Sequence, residues 1–313
     1  MEYSGCDLSG MWVRIPKIPR LLDDVAVGSM VFALVAALGY GLSDFVGGLA
    51  SRRTHVLRVV LVTYPVGLAG LLLVVPLAGG HLAGYDLLIA MIGGAANGLA
   101  IIWFYTALAT GPMNVVSPLT ALLVAGLPLI FGLVTGEPLG AIAIGGALLA
   151  VLAVVLVSRE ERTAVDVAGP VRFTARVGWL TIGSGAAFAV YFVLLDQMPH
   201  DSGLWPLVVS RGTATVLVVV APIGAGQFRI PERSAIALSV TAGLLDAVCN
   251  TAFLLALRTG LLAVVSVLTS LYPAATVLMA RLVLNERTGR VQRIGLALAA
   301  ISVTLIAGGS AIA

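Results

Sequence analysis

The sequence predicts an all-α integral membrane protein of ten transmembrane helices, built as two inverted five-helix repeats. Three observations carry the prediction: an apolar composition, a succession of membrane-length apolar blocks, and an internal duplication. Hydrophobic residues make up 59% of the chain and charged residues 11%, against about 25% charged in soluble domains. The mean hydropathy is +1.07. Apolar residues fall into blocks of roughly 20, and a helix of that length spans about 30 Å of hydrocarbon.

Taken in order, residues 1–27 carry Arg14, Lys17, Arg20, Asp23 and Asp24 with two prolines. They read as a flexible polar leader without the uninterrupted apolar stretch of a cleavable signal. Ten spans follow at 28–49, 57–78, 85–106, 112–133, 139–157, 178–196, 204–224, 234–256, 261–283 and 291–312. Most connections between them are short. Residues 158–177, with Arg159, Glu160, Glu161, Arg162, Asp166 and Pro170, are long and polar enough for a linker. The expected units are therefore a first repeat over 28–157 and a second over 178–313.

The duplication appears when the chain is slid along itself. A shift of 149 lays residues 97–157 on 246–306 without a gap, with 22 of 61 positions identical. Chance in an alphabet of Ala, Leu and Val explains much of the aliphatic agreement. It does not explain Thr110-Gly111 over Thr259-Gly260, Ser117 over Ser266, Thr120 over Thr269 and Glu137 over Glu286 at one offset. Five crossings is an odd number, so the second unit enters the bilayer from the opposite face. Such inverted repeats bind substrate near the midplane between the halves and expose it to each side in turn.

With Tyr40-Gly41-Leu42-Ser43-Asp44-Phe45 in the first span, and Gly136-Glu137-Pro138 and Asn285-Glu286-Arg287 after the fourth span of each unit, the chain resembles the EamA-type drug/metabolite transporter superfamily over residues 30–312. The resemblance implies a secondary transporter, and the family includes exporters of amino acids and other metabolites. Pro138 departs from the pattern where a basic residue is common, leaving that turn without positive charge.

Composition narrows the function from another side. Lys17 is the only lysine, so the chain contains no phosphate-binding G-x-x-x-x-G-K-[ST] loop and energy must come from a gradient or another subunit. An intramembrane enzyme would need a constellation such as H-E-x-x-H or D-D-x-x-D, and neither occurs. Cys6 and Cys249 are far apart, and His55, His81 and His200 fall in or beside connections without metal-ligand spacing. Neither cofactor nor metal is expected. The pI near 9.1 reflects short basic loops rather than a nucleic-acid surface. Twelve arginines, among them Arg52, Arg53, Arg159, Arg233 and Arg290, lie on one face, and Arg14, Lys17, Arg20 and Arg258 lie on the other. The positive-inside rule places the first face in the cytoplasm and the termini outside; the resemblance implies cytoplasmic termini.

Ionisable and polar groups within the spans are the candidates for chemistry, because an intramembrane charge normally faces a bundle interior or cavity. Asp246 and Asn250 share a helical face, and the repeat sets Asn97 at the position of Asp246. Tyr40 and Asp44 are likewise four apart. Arg211 needs a counter-ion, for which Asp44 and Asp246 are the candidates. Trp103, Phe104 and Tyr105, with Tyr191, offer aromatic surface. The substrate-binding or coupling set is therefore Tyr40, Asp44, Asn97, Trp103, Tyr191, Arg211, Asp246 and Asn250, with helix–helix hydrogen bonding or interfacial anchoring as the alternative role for each. Ser117, Thr120, Ser266, Thr269 and Ser270 read as packing residues, Pro118, Pro128 and Pro273 as interruptions of the fourth and ninth spans, and Glu137 and Glu286 as structural turn residues. The expected partners are a small-molecule substrate and the lipid bilayer of a plasma membrane, with protons as a candidate coupling ion, a homodimer as an open option and no nucleic acid.

Overall fold

The computed structural model describes residues 19–51, 53–82, 84–110, 113–157, 174–224, 232–284 and 289–310. Every regular element among them is a helix: α1 (Pro19–Ser51), α2 (Val56–Ala78), α3 (Gly84–Thr110), α4 (Met113–Val134), α5 (Ala141–Val157), α6 (Ala175–Asp196), a short 3-10 turn (His200–Ser202), α7 (Trp205–Gly224), α8 (Arg233–Thr259), α9 (Leu262–Thr269), α10 (Tyr272–Leu284) and α11 (Arg290–Ser310). The expected spans appear as α1 to α8 and α11, with the ninth divided into α9 and α10. α1 begins at Pro19, inside the stretch expected as a leader, as suits a proline that loses no helical bond at a first position. Residues 1–18 and most of the expected linker lie outside the described residues.

Local chemistry marks several helix starts. His55 Nδ1 accepts from Leu57 N at 3.3 Å ahead of α2, and Thr174 Oγ1 accepts from Val177 N at 3.3 Å ahead of α6. Pro273 lies four residues after Thr269 and brings no amide hydrogen to its carbonyl, so the helix lapses there into a turn at Ser270–Leu271 before resuming. α4, in contrast, runs unbroken through Pro118 and Pro128, which were expected to interrupt it. Among the described residues, six stretches are long and apolar enough to cross a membrane: Val27–Ser51, Leu57–Pro76, Gly84–Phe104, Ala175–Asp196, Ala235–Thr259 and Leu262–Val283. Three further apolar helices, Leu119–Val134, Ala141–Val157 and Trp205–Val220, are shorter; at about 1.5 Å per residue each reaches roughly 24–26 Å.

Packing follows the rule that small residues let transmembrane helices approach. Ala33, Ala36, Ala100, Ala150, Ala214 and Ala256 are fully buried, whereas Leu73, Val134, Val216, Val248 and Leu282 are exposed, an outward apolar surface suited to lipid. α1 runs antiparallel to α8, with Gly39 against Cys249 and Ser43 Oγ donating to the Ala242 carbonyl at 2.9 Å. α6 runs antiparallel to α3, with Ser184 Oγ donating to the Ala100 carbonyl at 2.9 Å. The pairings come in matched sets: α1 with α8 as α6 with α3, α2 with α8 as α7 with α3, and α1 with α10 as α6 with α4. α2 with α7, α4 with α9 and α5 with α11 complete the scheme.

One end of this bundle is tightly closed. Glu137, in the turn after α4, accepts through Oε1 from Leu262 N at 2.9 Å and through Oε2 from Ala263 N at 3.0 Å, capping α9. Arg258, in the last turn of α8, donates to the Pro199 carbonyl, to Ser202 Oγ at 2.8 Å and to the Gly203 carbonyl at 3.3 Å. Gly80 and Gly203, at φ 89° and 56°, bring the α2–α3 turn against the α6–α7 turn so closely that a Cβ on Gly80 would meet Gly203 N at 2.6 Å. Side chains rarely adopt those backbone angles, so both positions call for glycine.

Candidate functional site

A chain of polar side chains crosses the apolar interior. Arg211 on α7 is paired with the carboxylate of Asp246 on α8, their side chains being 9% and 21% exposed. The guanidinium carbon lies 3.9 Å from the centroid of the Tyr64 ring on α2, a cation–π contact. Tyr64 donates its hydroxyl to Asn97 Oδ1 on α3 at 3.0 Å. On the other side, Asn250 Nδ2 donates to Asp246 Oδ2 at 3.1 Å and to the Asp246 carbonyl at 2.8 Å. Tyr191 on α6 donates its hydroxyl to Asn250 Oδ1 at 3.3 Å. The sequence Asn97, Tyr64, Arg211, Asp246, Asn250, Tyr191 thus threads five helices.

Burial gives this chain its energetic weight. An ion pair taken from solvent is stable only with good geometry and further hydrogen bonds, and removing one partner costs about 3–5 kcal/mol because a buried charge is left alone. Asn250 supplies such a bond to the carboxylate, and the π-face of Tyr64 offers weak negative charge to the guanidinium. Arg211 Nε is nevertheless buried with no hydrogen-bond partner among the described residues. The cluster retains one unused donor beside a carboxylate.

Of the expected site residues, Asn97, Tyr191, Arg211, Asp246 and Asn250 meet in this network. Tyr40 and Asp44 border it from α1. Tyr40 interacts electrostatically with Tyr191, Asp246 and Arg211, and Asp44 interacts with Asp246. The interior stripe of α1 passes from buried Ala33 and Ala37 to half-buried Tyr40, yet Asp44, next on that stripe, is exposed. Asp44 thus leaves open area on the face that Ala33, Ala37 and Tyr40 turn inward, toward the end where α1 finishes and opposite the closed end.

Trp103 does not join the cluster. Its ring packs on α6 at Gly183, where an added Cβ would meet it at 3.1 Å. Two turns of α6 separate that contact from Tyr191. A crevice beside Tyr191, lined also by Ala90, Gly93, Met198 and Ser210 among others, leaves no room for a water molecule. The interior is polar-lined and tightly drawn.

Sequence reasoning missed Tyr64 and Tyr272. Neither is ionised at neutral pH, so neither stands out in a search for charges. Each directly precedes a proline inside a span, Pro65 and Pro273, and that dipeptide was the available signal. Glu137 has the structural role expected of it. Glu286 and the side chains of Ser117 and Tyr105 lie outside what the structure describes.

Comparison with known proteins adds a class to this geometry. Residues 177–308 match the model of the EamA-like transporter family. No curated protein sequence matches the chain. A solved structure described as a crystal structure of a protein is similar in fold, with a TM-score of 0.70 at 16% identity over 90% of this chain and 96% of its own; at that identity the likeness speaks for the fold alone. Among the described residues the chain is all-helical, with several helices long and apolar enough to cross a membrane, and its later part resembles the EamA-like transporter family.

Proposed function

With residues 177–308 matching the EamA-like transporter family, we propose that this protein is a secondary transporter of small polar metabolites, such as amino acids or drugs, working as an exporter by alternating access between two inverted five-helix units that together cross a plasma membrane ten times. The observation that carries the reading is the buried Arg211–Asp246 pair, held by Tyr64 and Asn97 from the first unit and Asn250 and Tyr191 from the second. A purely structural interior would be served as well by aliphatic packing, and a buried pair is weak evidence for stability. A cation and an anion side by side, with carboxamides on both sides, match a substrate bearing opposite charges: the guanidinium takes a carboxylate, and Asp246 takes an ammonium. The matched helix pairings support the inverted arrangement, since exchanging each helix for its counterpart in the other unit returns the same contacts. The closed end and the open area at Asp44 support a carrier drawn shut on one side.

Mechanistically, substrate entering from that open side meets Asp44 first. It then competes for Arg211 and Asp246, parting the pair as its own charges replace the partners. Freeing Arg211 from Asp246 in this way also frees its contact with Tyr64 of the first unit, and so loosens one unit against the other. Asp44 and Asp246 are the groups placed to exchange a proton during the cycle.

The test is counterflow of labelled amino acids and cationic drugs in proteoliposomes. Protein-dependent exchange of a labelled solute is the expected result, and Asp44→Asn with Asp246→Asn should abolish proton-driven flux. Coupled flux unchanged in the double variant would remove both aspartates from the mechanism.

A further inference from the structure

Hydroxyls buried in the helices of this chain mostly find a carbonyl, on a neighbouring helix for Ser43, Ser184 and Ser210 or on their own helix: Thr181 to the Val177 carbonyl at 2.8 Å, Ser239 to Ala235 at 2.9 Å and Ser270 to Val267 at 2.7 Å. This local bond is the usual resort of Ser and Thr in an apolar setting. Ser266 and Thr269 on α9 depart from it, as does Thr120 on the unbroken α4, but among the described residues only on α9 do two such hydroxyls adjoin a helix break. They are 0% and 1% exposed, and neither hydroxyl has a hydrogen-bond partner among the described residues. They stand three residues apart, on one face of α9. Leaving a buried hydroxyl unmatched costs about 1–3 kcal/mol, and here two do so side by side.

The same place has two further electron-rich features. The carbonyl of Thr269 receives no helical hydrogen bond from position 273, because Pro273 has none to give. α9 also ends at Thr269, so the negative end of its dipole falls there. Its positive end is already matched, at Leu262 and Ala263, by the carboxylate of Glu137. Tyr272 just beyond the break lies against Gly41 of α1, and Asp44 follows one turn on. That carboxylate adds negative potential, while Arg211 is committed to Asp246.

We propose that the interrupted end of α9 is a binding site for an alkali-metal cation, with the Ser266 and Thr269 hydroxyls and the Thr269 carbonyl as its oxygen ligands. Uncharged oxygens at a half-helix C-terminus are the donor set that a hard monovalent cation prefers within a bilayer. Arg and Lys are absent from α9, so no side chain of that helix competes for the position. The site shares no ligand with the Arg211–Asp246 cluster and does not depend on which substrate is carried, or on the protein being a carrier.

The experiment is a thermal-unfolding titration of the purified full-length protein in detergent with NaCl, LiCl and KCl, each balanced with choline chloride to constant ionic strength. A cation that binds the folded state raises the unfolding temperature saturably. The expected result is such a rise for at least one alkali cation over choline, kept in Thr269→Ser and lost in Thr269→Val and Ser266→Ala. Equal curves in all four salts would overturn the site, as would a rise that persists in both hydroxyl-deleted variants. If Thr269→Val alone fails to fold, Ser266→Ala decides. Counterflow is measured on the same preparation, so the absence of a cation effect together with intact exchange rejects the site and leaves the carrier reading standing.

Discussion

Asp246 shows how much a single side chain can hold in a solvent without water. It neutralises Arg211 and accepts from Asn250, so replacing it alone by Ala leaves a guanidinium buried with nothing but a tyrosine face. The expected loss of stability is about 3–5 kcal/mol, readable as a lowered unfolding temperature in detergent. Removing both charges, as Arg211→Met with Asp246→Leu, should recover most of that loss while abolishing transport. A double variant as unstable as the single one would mean that the pair is not isolated in this way. The pair itself was legible in the sequence, because an arginine within an apolar block demands a partner and there were two carboxylates to choose from. Tyr64 was not, since a tyrosine in a span satisfies itself with one hydrogen bond, and only the neighbouring helices reveal that its ring faces a cation. Trp103 was misleading for a related reason: its size suggests contact with a ligand, but the absence of a side chain at Gly183 gives its ring a place to pack.

At the scale of the element, α9 is the exceptional piece. Eight residues are too few for a stable isolated helix, and this one is sustained at its ends by other parts of the chain. Glu137 accepts from two consecutive amides at its start, a carboxylate on the positive end of a helix dipole. Glu137→Gln keeps one acceptor oxygen and loses the charge, and Glu137→Ala loses both. Capping losses of about 0.5–2 kcal/mol predict unfolding temperatures in the order wild type, Gln, Ala, and faster amide exchange at Leu262 and Ala263 read by hydrogen–deuterium mass spectrometry. Unchanged exchange in Glu137→Ala would deny the carboxylate that role. Prolines in the sequence were expected to interrupt both the fourth and the ninth spans, and the ninth alone divides, at Pro273. Pro273 stands where the first copy has Val124, and that difference marks the break. Why Pro118 and Pro128 leave α4 whole while Pro273 divides its counterpart depends on the neighbours that rescue each freed carbonyl, which a linear sequence does not disclose.

For the whole molecule, the closed end is the feature most open to test. Arg258 ties α8 to the turn between α6 and α7 through the Pro199 carbonyl, Ser202 and the Gly203 carbonyl, and Ser202 is fully buried there. In a background without Cys6 and Cys249, a cysteine at position 202 should react slowly with a water-soluble thiol reagent. Reaction should quicken when Arg258 is replaced by Met. Equal rates would assign the closure to the glycine contacts alone. The places and order of the helices were legible in the sequence because apolar blocks and the 149-residue offset mark them, whereas which helices become neighbours was not. The tightness of the middle was not, since it depends on how far the helices have drawn together in one conformation. The grip of Glu137 on α9 carries a further consequence for how such a machine divides when it moves. A carboxylate holding two successive amides cannot slide along the helix, so the turn after α4 and the start of α9 must travel as one piece. In the carrier proposed above, the start of the later repeat's α9 would then move with the earlier repeat, and the hinge would fall at Ser270–Leu271, where Leu271 N bonds back three residues to Leu268 and the helical ladder is interrupted.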